Sequence, residues 1–152
     1  MLFNIPTEYA SAQFAKTLSQ FLITPLVLTF SGEIGMGKTT IIRFLLQSLG
    51  VTSSIKSPTF SLVETYSFTN MQIHHFDLYR IHDESELDYI GFRDYFGDQD
   101  ICCIEWPERA KYSLKNIDLA FDIVRQREGR DIIINAHSPS GEAILKGLAS
   151  TL

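Results

Sequence analysis

The run Gly32-Glu33-Ile34-Gly35-Met36-Gly37-Lys38-Thr39 places its fixed residues in the order G-x-x-x-x-G-K-[ST], a spacing suited to holding phosphate. Glycines let the backbone bend so that successive N–H groups approach phosphate oxygens, and a helix starting there adds positive potential. Lys38 is placed to meet the β- and γ-phosphates of a nucleotide. The hydroxyl of Thr39 suits a Mg²⁺ ion bridging those phosphates. Thr40 reads as structural by itself and is grouped with the nucleotide-binding run.

A phosphate site of this kind also needs a carboxylate on the metal side, delivered by the end of a neighbouring apolar strand. Two acids stand in such places. Glu105 ends the apolar run Ile101-Cys102-Cys103-Ile104, and its plain alternative is a solvated strand end. Asp77 lies in Gln72 to Arg80, where Phe76 and Leu78 share one face and His75, Asp77 and Tyr79 the other. One face is core, and the other is either catalytic or plain surface. Ser57-Pro58-Thr59-Phe60 follows the phosphate-binding helix. Thr59 there reads either as a hydroxyl sensing the γ-phosphate or as part of an ordinary turn.

The elements that must position these groups are legible in outline. Thr7 can cap a helix carrying Ala10, Phe14, Leu18 and Phe21 on one stripe, with Pro25 ending it. Leu26 to Phe30 has the unbroken apolar character of a parallel strand buried on both faces. Helical spacing resumes over Thr39 to Leu49, with Gly50 as its stop. Leu62 to Phe68 and Gln72 to Arg80 predict a hairpin turning at Thr69-Asn70. Asp83 to Phe96 predicts a short helical segment broken at Gly91. Beyond it, Pro107 closes the Ile101–Ile104 strand. Ile117 to Ile123 and Asp131 to Ala136 predict a second hairpin with its turn at Glu128-Gly129, and Ser140 to Leu148 a closing helix. The fold class is α/β: a three-layer phosphate-loop architecture with a mostly parallel central sheet, flanking helices and antiparallel hairpins.

A chain of 152 residues, 45% of them hydrophobic, predicts one domain spanning 1–152. The net charge of -5 and a pI near 5.3 argue against an overall basic field that would collect nucleic-acid phosphates. Met1 to Ala10 has neither the basic nor the apolar stretch of a leader, and no run of about 18 apolar residues occurs, so a cytoplasmic setting without membrane association is expected. Cys102 and Cys103 are adjacent and read as core fillers on opposite strand faces. A zinc site with His74, His75 or His82 lacks C-x-x-C spacing.

Taken together, the motifs resemble the TsaE (formerly YjeE) family of bacterial ATPases. The resemblance runs through Ser31 to Thr40, Ser57-Pro58-Thr59-Phe60, His75-Phe76-Asp77-Leu78-Tyr79-Arg80, Glu86-Leu87 through Ile90-Gly91 to Asp94-Tyr95-Phe96, and Ile104-Glu105-Trp106-Pro107-Glu108-Arg109. It implies an ATP-binding and ATP-hydrolysing subunit, handling ATP/ADP with Mg²⁺, required for threonylcarbamoyladenosine modification of tRNAs reading codons that begin with A. ATP hydrolysis would be coupled to turnover of a transferase formed by two partners, TsaB and TsaD, with tRNA contacted mostly through them. The chain would not itself transfer the threonylcarbamoyl group. The resemblance further implies that Lys38, Asp77 and Glu105 serve hydrolysis, that Thr39 and Glu105 hold the metal, that Thr59 belongs to a switch-like loop, and that Trp106 lies near the nucleotide. Met36 departs from the family, which more often has Ala there; this puts loop packing and affinity in question rather than phosphate binding.

Three other readings share parts of this pattern. A small-molecule kinase would use Asp77 as a base on a hydroxyl substrate, but no Arg-rich lid segment follows the core. A signalling GTPase is suggested by Asp88-Tyr89-Ile90-Gly91, yet no apolar strand leads into it and Lys115-Asn116-Ile117-Asp118 has the wrong order for a guanine reader. An interaction module would bind nucleotide only as a structural ligand.

Overall fold

The computed structural model describes all of residues 1–152. Seven strands form one sheet: β1 (Leu2–Ile5), β2 (Leu26–Ser31), β3 (Val63–Ser67), β4 (Gln72–Asp77), β5 (Asp100–Glu105), β6 (Leu119–Gln126) and β7 (Gly129–Ala136), in the order β1-β7-β6-β2-β5-β4-β3. The centre is parallel, with β2 between β5 and β6 and with β4 on the far side of β5. Antiparallel pairs close both edges, β3 on β4 and the β1-β7-β6 set.

Burial explains why β2 and β5 read as continuous apolar runs. Leu26, Leu28 and Phe30 enter one core cluster and Val27 the other, so β2 is covered on both sides. Cys103 and Cys102 divide between the same two clusters, as neighbouring strand residues must. The first cluster lies under α1 (Glu8–Ser19), α2 (Lys38–Ser48) and α4 (Pro139–Thr151), which contribute Phe14 and Leu18, Ile42 and Leu46, and Ile144 and Leu148. The second face is covered by α3 (Glu86–Tyr89) and the single 3-10 turns Phe92–Tyr95 and Pro107–Ala110.

Thr7 caps α1 through its hydroxyl, which accepts from the Ala10 N–H at 3.1 Å. The helix stops at Ser19, so Phe21 packs on the core from beyond its end. Gly91, at φ 67°, separates α3 from the next turn, in line with the break expected there. Several elements differ from expectation, among them α4, which runs Pro139–Thr151, and β6, which runs Leu119–Gln126. β1 was not legible, β4 ends at Asp77 rather than Arg80, and Gln126 pairs with Gly129, so the β6-β7 turn is Arg127-Glu128.

Candidate active site

In a parallel sheet the carboxyl ends of neighbouring strands share one edge, and ligands gather there. β2, β5 and β4 therefore deliver Ser31, Glu105 and Asp77 to the same side: Phe30 is in register with Glu105, and Glu105 with Asp77. The chain leaves β2 through Gly32 to Gly37 and enters α2 at Lys38. Gly35 and Gly37 have φ of 80° and 95°, the left-handed region that favours glycine.

These elements enclose a cleft of about 450 Å³ lined by Ile34 to Thr40, Ser57, Thr59, Asp77, Tyr79, Glu105, Trp106 and Arg130. Of the residues assigned from the sequence to the nucleotide site, all but Gly32 and Glu33 line it. Those two turn their carbonyls to the Lys38 ammonium instead; Glu33 O accepts at 3.0 Å, and Gly32 O is the second acceptor. Another cavity, about 480 Å³, lies at the opposite end of β2 around Leu26 and Val27 and contains none of these groups.

Lys38 is almost wholly covered, 5% exposed, and its ammonium also sits 4.2 Å from the centre of the Trp106 ring. Burial lowers its pKa from the ordinary lysine value, with the nearby Glu105, Asp77 and Glu108 carboxylates opposing the shift. Thr39 points its hydroxyl at Glu105, donating at 3.0 and 2.9 Å to the two carboxylate oxygens. One hydroxyl and one carboxylate at the lip of a phosphate-sized loop are hard oxygen donors, the ligand type that Mg²⁺ takes. Thr39 and Glu105 could thus hold a cation.

Asp77 organises the opposite wall. Its Oδ2 accepts from Ser57 Oγ at 2.5 Å and from Thr59 Oγ1 at 3.1 Å, and its Oδ1 accepts from the Tyr79 N–H at 3.1 Å. The loop after α2 is therefore tied to the end of β4 through one carboxylate. Trp106 adopts φ 60° and ψ 54°, a left-handed conformation that costs a side-chain-bearing residue about 1–2 kcal/mol. It stacks obliquely on Tyr79 with ring centres 5.0 Å apart. Met36 is buried in the helix-side core and also lines the cleft.

Besides Tyr79, three contributors were not recognised as site residues. Ser57 makes the shortest of the Asp77 contacts. His75, wholly buried, donates from Nε2 to Glu105 Oε2 at 2.6 Å. Arg130, on β7, donates to Met36 O at 2.9 Å and braces the glycine loop from the side. The alternation in β4 could have found His75, since it shares the Asp77 face. Arg130 carried no signal, because its place depends on a strand pairing 94 residues away from Met36. Asp88 to Gly91, the D-x-x-G of the GTPase reading, lies in α3 and the residues just after it and does not line the cleft.

The model for the Threonylcarbamoyl adenosine biosynthesis protein TsaE family matches residues 5–132. A tRNA threonylcarbamoyladenosine biosynthesis protein TsaE from Haemophilus influenzae is 35% identical over 151 residues, 96% of each chain. A Bacillus subtilis protein of the same name is 36% identical over 117 residues, 77% of this chain and 72% of its own. Among solved structures, YdiB of Bacillus subtilis superposes with a TM-score of 0.79 at 24% identity, covering 99% of this chain and 93% of that one, and so shares the fold. On the family match and the near full-length similarity to its relatives, the chain belongs to the TsaE family.

Proposed function

We propose that residues 1–152 act as one ATP-binding and ATP-hydrolysing unit that serves threonylcarbamoyladenosine modification of tRNA in the cytoplasm. The observation that carries this reading is the Thr39 hydroxyl held within 3.0 Å of the Glu105 carboxylate at the lip of the glycine loop. A hydroxyl, a strand-end carboxylate and a buried lysine around one loop constitute the equipment for a metal-bound polyphosphate.

In this reading, N–H groups of Gly35 to Thr40 receive phosphate oxygens, and the Lys38 ammonium exchanges the Gly32 and Glu33 carbonyls for the β- and γ-phosphates. Thr39 and Glu105 would hold Mg²⁺, which would supply charge neutralisation for the bound phosphates. Asp77 faces the same space and takes the proton of an attacking water. The water oxygen bonds to the γ-phosphorus, the β–γ bridging bond breaks, and ADP leaves with the electron pair. Trp106 and Tyr79 cover the cleft and limit water access.

Because Ser57 and Thr59 are held by Asp77, loss of the γ-phosphate changes the surroundings of a loop already attached to the catalytic carboxylate. That gives the ordered-to-released transition through which hydrolysis resets protein partners, here the TsaB–TsaD complex, with tRNA contacted through it. The acidic chain fits a protein-binding role.

Phosphate release from Mg-ATP, measured for the parent, Glu105→Ala and Asp77→Ala with and without TsaB and TsaD, tests the reading. Partner-stimulated release by the parent is expected, with nucleotide binding kept in at least one variant and turnover lost in both. Turnover surviving in both variants would remove the catalytic assignment; turnover indifferent to the partners but dependent on a small acceptor would favour a kinase.

A further inference from the structure

His75 lies at the centre of β4, 0% exposed, in register with Cys103 on β5 and two residues before the Asp77–Glu105 pair. Its Nε2 lies 2.6 Å from Glu105 Oε2, the shortest polar contact that the carboxylate makes. A carboxylate only accepts, so Nε2 carries the hydrogen. The other ring nitrogen, Nδ1, is the one buried side-chain polar atom in the chain without a hydrogen-bond partner.

An unpaired polar atom in a core is unfavourable, and an aliphatic residue of similar size would fill this position without it. Packing therefore does not account for an imidazole here. The contact to Glu105 does. Thr39 lies 3.0 and 2.9 Å from the two carboxylate oxygens and holds neither one specifically, whereas His75 fixes Oε2 from within the sheet. Oε2 is thus shared between His75 and Thr39, while Oε1 has Thr39 as its one partner.

We propose that His75 is a positioning residue for the cation site, orienting Glu105 by hydrogen bonding so that Glu105 and Thr39 present a preformed pair of oxygen ligands. The proposal rests on the reading of the cleft as a Mg-nucleotide site. It assigns to His75 the part that outer hydrogen-bond partners play for ligating groups, whose loss weakens metal affinity about 10–100-fold.

The chain has one tryptophan, Trp106, in the cleft wall, so its fluorescence reports nucleotide binding directly. ADP affinity is measured in EDTA and across a Mg²⁺ titration for the parent, His75→Leu and His75→Gln, with thermal melting as the check on folding. Leu fills the space without a donor; the Gln side-chain amide can donate from the same depth as Nε2. The proposal predicts a Mg²⁺ midpoint raised about 10–100-fold in His75→Leu, affinity in EDTA unchanged, and a midpoint near the parent's in His75→Gln. A parent-like midpoint in folded His75→Leu overturns it, as does equal loss in both variants with and without Mg²⁺, which marks a purely structural role. If His75→Leu does not fold, His75→Asn takes its place, its amide being too short to reach Glu105; a raised midpoint in Asn but not Gln sustains the proposal, and matching midpoints overturn it. A parent whose ADP binding ignores Mg²⁺ overturns the underlying reading and the proposal with it, and that result is visible before any variant is made.

Discussion

Gly37 shows how tightly single residues are constrained around the phosphate loop. It sits at φ 95°, and a Cβ built there would overlap the Arg130 guanidinium, which is itself held by Met36 O. Gly37→Ala therefore combines a backbone cost of about 1–2 kcal/mol with displacement of Arg130. Urea unfolding should show the single variant destabilised by at least that backbone cost. Combining it with Arg130→Ala should recover only the steric part, and parent-like stability in Gly37→Ala would contradict the packing. Trp106 is the converse case, an aromatic residue kept in a conformation that glycine tolerates better. Strain of this kind accumulates where function constrains the backbone, and its ring position against Lys38 and Tyr79 is what it secures here.

At the scale of elements, α4 depends on a chain of contacts reaching into the sheet. Ser138 Oγ accepts from the Gly141 N–H at 2.9 Å and donates to Asp118 Oδ1 at 2.6 Å, while Asp118 Oδ2 accepts from the Val27 N–H at 2.8 Å. The α4 cap is thus joined to the entry of β6 and the start of β2. Thr7, capping α1, has no such link. Both Ser138→Ala and Thr7→Ala lose a cap contributing about 1 kcal/mol, and Ser138→Ala also leaves Asp118 Oδ1 without its donor. Its urea midpoint should fall further than that of Thr7→Ala; equal shifts would deny the cross-element link. Legibility in the sequence follows the same division. Elements with local signatures were readable: the cap at Thr7, the apolar run of β2, the glycine loop, and the alternation that put Asp77 and His75 on one face of β4. β1 was not, because Leu2–Ile5 is short and mostly uncovered, and its identity as a strand comes from pairing with β7. Arg130 was hidden for the same reason. The β6-β7 turn shifted by one residue because register between the strands sets it, and Glu128-Gly129 is only a local preference.

For the whole molecule, three parallel strands of different sequence position end on one edge, where the cleft brings together residues from 34 to 106 with Arg130 of β7. The sheet's interior makes that edge rigid, with Leu28, Phe30, Cys103 and Ile104 fully covered directly behind it. The loop carrying Ser57 and Thr59 meets the edge through side-chain hydrogen bonds to Asp77. No helix is long and apolar enough to cross a membrane. In the proposed function, Gly32 to Thr39 cradles the phosphates of ATP, with Lys38 as their principal cation. Calorimetric titration of Mg-ATP into the parent and Lys38→Ala tests it most directly. Saturable one-site binding by the parent is expected, with a loss of at least about tenfold in the folded variant, the order expected when a charge-assisted contact is removed. Equal affinity in the two proteins would contradict it.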